Sequence, residues 1–215
     1  ASLLLSGLDP GVAVKALCAA MGAPADVSGA AHLPSFAAAR QGFDQAVTAL
    51  RLEGFAPSVA GRLALLEKEL KGFAPMARLD APASEELWRA IRDAAPLAEP
   101  CEKIIWRISV MPTAGPQIAE GVRREHHAEA LFDWSGGLLW LALEPCSDCG
   151  AELIRSLIAR IGGGHATLIR APDELRAKIP VFEPQAEALT ALSRRLKEAF
   201  DPYAILEPFR MQPEF

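Results

Sequence analysis

The chain has 215 residues, of which 51% are hydrophobic and 23% charged, and it carries a net charge of −5 at neutral pH. A chain of this length buries roughly 70% of the surface its unfolded form exposes, so a conventional core forms without metal or disulfide staples. The acidic balance and the lack of a basic stripe argue against a nucleic-acid surface, and the longest apolar run, Gly136 to Leu143, falls far short of the ~20 residues that span a bilayer.

In chain order, Ser2 to Gly7 reads as a strand and Pro10 to Met21 as a helix, with Asp9 at the N-cap and Pro10 in the first turn. Val27 to His32 is a second predicted strand. After a connection through Phe36 and Phe43, the prediction is a strand over Val47 to Glu53, a helix over Ser58 to Lys71 ended by Gly72, and a short strand over Met76 to Leu79. The β-α-β-β-α-β order then recurs: strand Lys103 to Val110, helix Gly115 to Arg124, strand Ala128 to Trp134, turn Gly136-Gly137, strand Leu138 to Leu143, helix Asp148 to Ile161, strand Ala166 to Arg170. A helix over Ser84 to Ala94 lies between the copies, and one over Glu187 to Phe200 follows them. The expected class is α+β, with two ferredoxin-like (split βαβ) repeats at about 2–80 and 102–171 and a C-terminal helix and tail at 185–215. Each repeat is an antiparallel sheet whose helices cover one face.

Period-two alternation over Lys103 to Val110 puts Ile104, Trp106, Ile108 and Val110 on one face and Ile105, Arg107 and Ser109 on the other. Trp106 reads as core, as do Trp88, Trp134 and Trp140. Cys146-Ser147-Asp148-Cys149 is a C-x-x-C at a helix start, a pattern that supports thiol redox chemistry when the thiol pKa is lowered. No second pair completes a zinc site, and no metal ligand set is expected. Four cysteines without framework spacing, and an N-terminus with no basic region ahead of its apolar residues, fit a reducing, cytoplasmic compartment better than secretion.

Five segments, in this order, resemble the FAD-binding subunits of glycolate oxidases: Leu52-Glu53-Gly54, Leu87 to Arg92, Trp106 to Val110, Gly163 to Thr167 and Leu196 to Pro202. The ending Phe200-Asp201-Pro202-Tyr203-Ala204-Ile205-Leu206 is similar to that of flavin-linked oxidases of the vanillyl-alcohol-oxidase type. The continuation departs from that pattern, with Glu207 where Asn is usual and Phe209 where Gly is usual. The resemblance implies a C-terminal cap and substrate domain whose FAD is held mainly by an N-terminal FAD-binding domain lying outside this sequence. The chain has neither a G-x-G-x-x-G nor a Walker loop, and it is expected to hold no FAD alone.

The resemblance also implies oxidation of glycolate to glyoxylate. It further implies partnership with a second flavin subunit and an iron–sulfur subunit, through which the chain would lie peripheral to the inner membrane. Oxidising a 2-hydroxy acid by hydride transfer requires a cation that holds the carboxylate and a base that accepts the hydroxyl proton. On the strength of the resemblance, Arg107 is the first choice for the clamp and His165, after three glycines, for the base. Arg210 and Glu53 are the candidate cofactor contacts. A non-catalytic assembly module built on the same scaffold is the alternative from a different class, favoured by the altered tail.

Overall fold

The computed structural model describes residues 1–206; Glu207, Phe209 and Arg210 lie outside the described residues. The elements are β1 (Ser2–Ser6), α1 (Pro10–Gly22), β2 (Gly29–Leu33), α2 (Ser35–Ala39), β3 (Val47–Arg51), α3 (Ala56–Leu70), β4 (Met76–Leu79), α4 (Ala81–Arg92), β5 (Ile104–Ser109), α5 (Gly115–Arg123), β6 (Ala128–Asp133), β7 (Leu138–Leu143), α6 (Ala151–Arg160), β8 (His165–Arg170), α7 (Asp173–Arg176) and α8 (Glu187–Phe200). All eight strands form one antiparallel sheet in the order β4-β1-β3-β2-β6-β7-β5-β8. Inward from either outer edge, each half runs fourth, first, third, second strand, which is the split βαβ order repeated. The halves meet at β2 and β6 through the pair His32 and Phe132.

Local sequence explains most of the elements. Asp9 Oδ1 accepts the backbone N–H groups of Gly11 and Val12 at 2.9 and 3.1 Å, so α1 starts where predicted. Val59, Leu63, Leu66 and Leu70 recur at helical spacing in α3 and are all buried. The helix predicted from Asp148 starts three residues later. Asp148 accepts from the N–H groups of Gly150 and Glu152, Gly150 takes a left-handed conformation, and the helix begins only at Ala151.

Two apolar layers flank the sheet. On one face α1 and α3 pack over the first repeat around Leu3, Leu5, Leu17, Leu50 and Leu66, while α5 and α6 pack over the second around Trp106, Phe132, Leu141 and Ile154. The indole of Trp106 is fully buried there and donates to the Cys149 carbonyl at 2.8 Å. On the other face α4, the helix between the repeats, lies with α2 and the turn Ala95–Leu97 against Leu4, Ala31, Leu33, Ala49, Ile105 and Leu131. Trp88 of α4 donates to Ser2 Oγ at 2.8 Å, tying this helix to the first strand. The outer edge of β8 is covered in part by residues 181–183: Leu168 N–H donates to Val181 O and Ala166 N–H to Glu183 Oε2.

At the seam, His32 is fully buried with its Nδ1 2.9 Å from Thr48 Oγ1 and its ring 5.8 Å from that of Phe132. Burial lowers its pKa from 6.5 to about 4, so the ring is neutral at physiological pH. A histidine in the unfolded chain takes up a proton near pH 6.5 while the folded one resists until about 4. Stability therefore falls as pH drops through that window, by up to about 1.4 kcal/mol per unit. Urea unfolding between pH 7 and pH 4 is expected to show this decline and His32→Gln to flatten it; an unchanged slope in the variant assigns the dependence elsewhere.

Two glycines make a paired test of the packing. A Cβ on Gly115 at the start of α5 would lie 2.3 Å from Gly136 O, whereas one on Gly61 in α3 would meet nothing within 4 Å. Gly115→Ala is expected to lower unfolding stability by about 1–3 kcal/mol. Gly61→Ala is expected to raise it by about 0.5–1 kcal/mol, both read from denaturant midpoints.

Candidate functional site

The helix α4 and its neighbours do not cover the whole second face. Toward the β8 edge the cover thins: Ile105, Leu138 and Ala142 are buried on this face, Arg107, Ser109, Trp140 and Thr167 are half-buried, and His165 and Ile169 are exposed, and alternation along the strands decides which side chains are displayed. In β5 the residues Ile104, Trp106 and Ile108 point into the core under α5 and α6, so Arg107 and Ser109 point to the opposite face. Arg107 pairs with Trp140 of β7 and Thr167 of β8, while Ser109 pairs with Leu138 and His165. Arg107 and His165 are therefore diagonal neighbours on one face of adjacent strands, a relation that separates residues by about 7 Å. Their side chains share the open surface.

Arg107 is half-buried, and its guanidinium carbon lies 5.4 Å from the ring centre of Trp134 and 6.0 Å from that of Trp140. Among the described residues no carboxylate pairs with it and no hydrogen bond engages it. Seven other arginines are engaged in structural contacts. Arg40, Arg62, Arg155 and Arg170 donate to backbone carbonyls, and Arg51, Arg78 and Arg92 pair with Glu53, Glu67 and Asp93. A guanidinium resting on indoles, with its donors uncommitted, is suited to a planar anion. His165 is exposed and its ring makes no hydrogen bond among the described residues, which leaves both nitrogens accessible.

Trp134 departs from its predicted core role: it is 58% exposed. It ends the β6 strand inside the turn Trp134–Gly136, and the turn swings its indole over Arg107 instead of into the α5–α6 core. Trp140 is half-buried on the same face. Asp133, next to the turn, has its carboxyl pushed up by burial while Oδ1 accepts the Trp134 N–H at 2.8 Å. Neither Trp134, Trp140 nor Asp133 stood out in the sequence as a site residue. Strand β7 reads Leu-Leu-Trp-Leu-Ala-Leu, and an all-apolar run hides which side is open.

Glu53 sits elsewhere. It follows β3, is exposed, and pairs with Arg51 at 2.8 Å beside a recess of about 480 Å³ that Arg78, Ser84 and Glu85 also line. Four strand spacings separate β3 from β5, roughly 19 Å, so the structure does not bring Glu53 to Arg107 and His165. Arg210 falls outside the described residues. The matching Asp201 has a structural role. Its carboxylate accepts the N–H groups of Ile205 and Leu206, both at 2.9 Å, and pairs with Lys197. The Lys197 hydrogen bond, with those two N–H groups, holds its pKa at about 2.

The C-x-x-C thiols are poorly disposed for redox chemistry. Burial pushes both Cys146 and Cys149 up, the nearby Asp148 carboxylate adds to the shift, and all four cysteines are free. Among the described residues no group of three potential ligands is placed to hold a metal, and no helix is long and apolar enough to cross a membrane.

No protein-family model matches the chain. Glycolate oxidase subunit GlcE of Escherichia coli (strain K12) is 31% identical over 173 residues, which is 80% of this chain and 40% of GlcE. The structure of 4-ethylphenol oxidase from Gulosibacter chungangensis, in complex with isoeugenol, superposes over 98% of this chain and 53% of the oxidase with a TM-score of 0.56 at 13% identity. The chain thus spans less than half the length of the GlcE relative and about half that of the structural one. By sequence the chain is similar to part of the glycolate oxidase subunit GlcE, and nearly all of it shares its fold with part of the 4-ethylphenol oxidase.

Proposed function

We propose that the chain is the substrate-side part of an FAD-dependent 2-hydroxy-acid oxidoreductase that converts glycolate to glyoxylate. The observation that carries this reading is the uncommitted Arg107 guanidinium on an open sheet face, two strand positions diagonal to the His165 imidazole. In the complete enzyme Arg107 receives the substrate carboxylate through two parallel N–H donors, fixing which carbon faces the cofactor. His165 accepts the hydroxyl proton as the C2 hydride departs and the carbonyl forms. FAD, held largely by an N-terminal domain, supplies the hydride acceptor. The aromatic rings and the Arg107 cation of this face suit the flat, polar-edged ring and anionic substrate that such a pairing demands. Glu53 and Arg210 retain a place in the proposal only as contacts to the more distant parts of the cofactor or its domain.

Partner subunits of the kind found in a glycolate oxidase, a second flavin subunit and an iron–sulfur subunit, belong to the same proposal, as does a cytoplasmic site peripheral to the inner membrane. A second reading, a non-catalytic assembly module, is favoured by α8. Leu189, Leu192, Leu196 and Phe200 form an apolar stripe along it, 48% to 84% exposed, and none of its residues is buried.

The two readings part in the complete, flavin-loaded enzyme. Arg107→Ala is expected to raise KM for glycolate by roughly 10- to 100-fold, since charge-assisted hydrogen bonds contribute about 1.5–3 kcal/mol. His165→Ala is expected to lower kcat by about 100-fold or more. Steady-state kinetics checks both. Wild-type turnover in both variants with loss of subunit co-purification supports the assembly module instead. The chain alone is expected to purify without yellow colour; stoichiometric FAD on it removes the need for a separate flavin domain.

A further inference from the structure

The turn that carries Trp134 is a constrained stretch of backbone bordering the open face. Trp134, Ser135 and Gly136 have consecutive φ angles of 49°, 60° and 99°, a left-handed run that side-chain-bearing residues rarely adopt. The surroundings over-determine it. Asp133 Oδ1 accepts the Trp134 N–H at 2.8 Å, Trp134 O accepts from Gly137 at 3.0 Å, and Gly137 O accepts from Val110 at 2.9 Å. Helices from both repeats close on the turn. A Cβ at Gly136 would lie 2.6 Å from Val14 of α1, and one at Gly115 of α5 would lie 2.3 Å from Gly136 O.

Close packing against α1 and α5 holds the backbone of the turn, but the Trp134 side chain that the turn presents is not part of the core, being 58% exposed. Strain kept at an exposed position points to a function for that side chain. The indole stands 5.4 Å from the Arg107 guanidinium, within range of a cation–π contact, and Trp140 completes a second such contact at 6.0 Å.

We infer that Trp134 is a positioning residue for Arg107, holding the guanidinium against Trp140 so that its paired donors stay presented to a planar carboxylate. The inference rests on the reading of Arg107 as the carboxylate clamp. An arginine on a flexible stem loses side-chain freedom when it grips an anion; one already restrained between two rings loses less and binds more tightly. Trp134 itself touches neither the reacting carbon nor the transferred proton in this assignment. Its removal therefore weakens binding and leaves the chemical step nearly unchanged.

The test titrates the 215-residue chain with oxalate, a planar dicarboxylate with no C–H bond to oxidise, and follows binding by NMR chemical shifts. Trp134→Ala is expected to weaken oxalate binding by about fivefold and Trp134→Phe by less than about twofold, because a phenyl face retains the cation–π contact. In the complete enzyme Trp134→Ala is expected to raise KM for glycolate by a similar factor with kcat nearly constant. Absence of oxalate binding by the wild-type chain, or unchanged binding in Arg107→Ala, overturns the clamp reading and this inference with it. Loss in Arg107→Ala with wild-type binding in Trp134→Ala overturns this inference alone. So does a loss in Trp134→Phe equal to that in Trp134→Ala, or a fall in melting temperature that tracks the loss of affinity.

Discussion

Everything that positions the open face depends on how the two repeats are joined. A single split βαβ unit ends in an exposed inner strand, and here β2 and β6 each supply that strand to the other, so that eight strands share one sheet. The join is reinforced on the helical side by His32, whose neutral ring lies between Thr48 and Phe132, and by the turn Trp134–Gly136 wedged between α1 and α5. The seam is also where close approaches of glycine backbone occur, at Gly115 and Gly136. Close packing there fixes the second repeat against the first with little slack.

The two faces of the sheet then take different roles. One is closed by two helices from each repeat and holds most of the apolar core. The other is closed only in part, by α4 and the short segments around it, because one connecting helix cannot span eight strands. On the less covered part Arg107 rests against Trp134 and Trp140 and, among the described residues, is not neutralised by a carboxylate. Leaving a half-buried cation without a counter-charge is unfavourable for stability and useful for binding. The same incompleteness appears in α8, whose apolar stripe faces outward among the described residues. Both features are consistent with a chain that spans less than half the length of its GlcE relative.

The sequence is most legible where local rules dominate. Asp9-Pro10 marks the start of α1, the leucine spacing marks α3, and strict alternation in β5 separates Arg107 from Trp106. It is less legible where burial on both faces erases the pattern, as in β7, and where left-handed residues redirect the chain, as at Trp134 and Gly150. The short helix α2 leaves no mark because five residues carry too little periodicity to be seen. Glu53 matches a sequence pattern but lies some four strands from Arg107, and proximity across a sheet depends on strand order, which adjacency in sequence does not reveal.

By itself the sequence determined the β-α-β-β-α-β order, its repetition, and the assignment of Arg107 and Trp106 to opposite sides of one strand, because capping, helical spacing and period-two alternation act within a few residues. Only the tertiary structure decided that the repeats share one sheet, that α4 crosses to the second face, and that Trp134 and Trp140 meet Arg107. Those outcomes follow from edge pairing and close packing between residues far apart in the chain, interactions that no local pattern encodes.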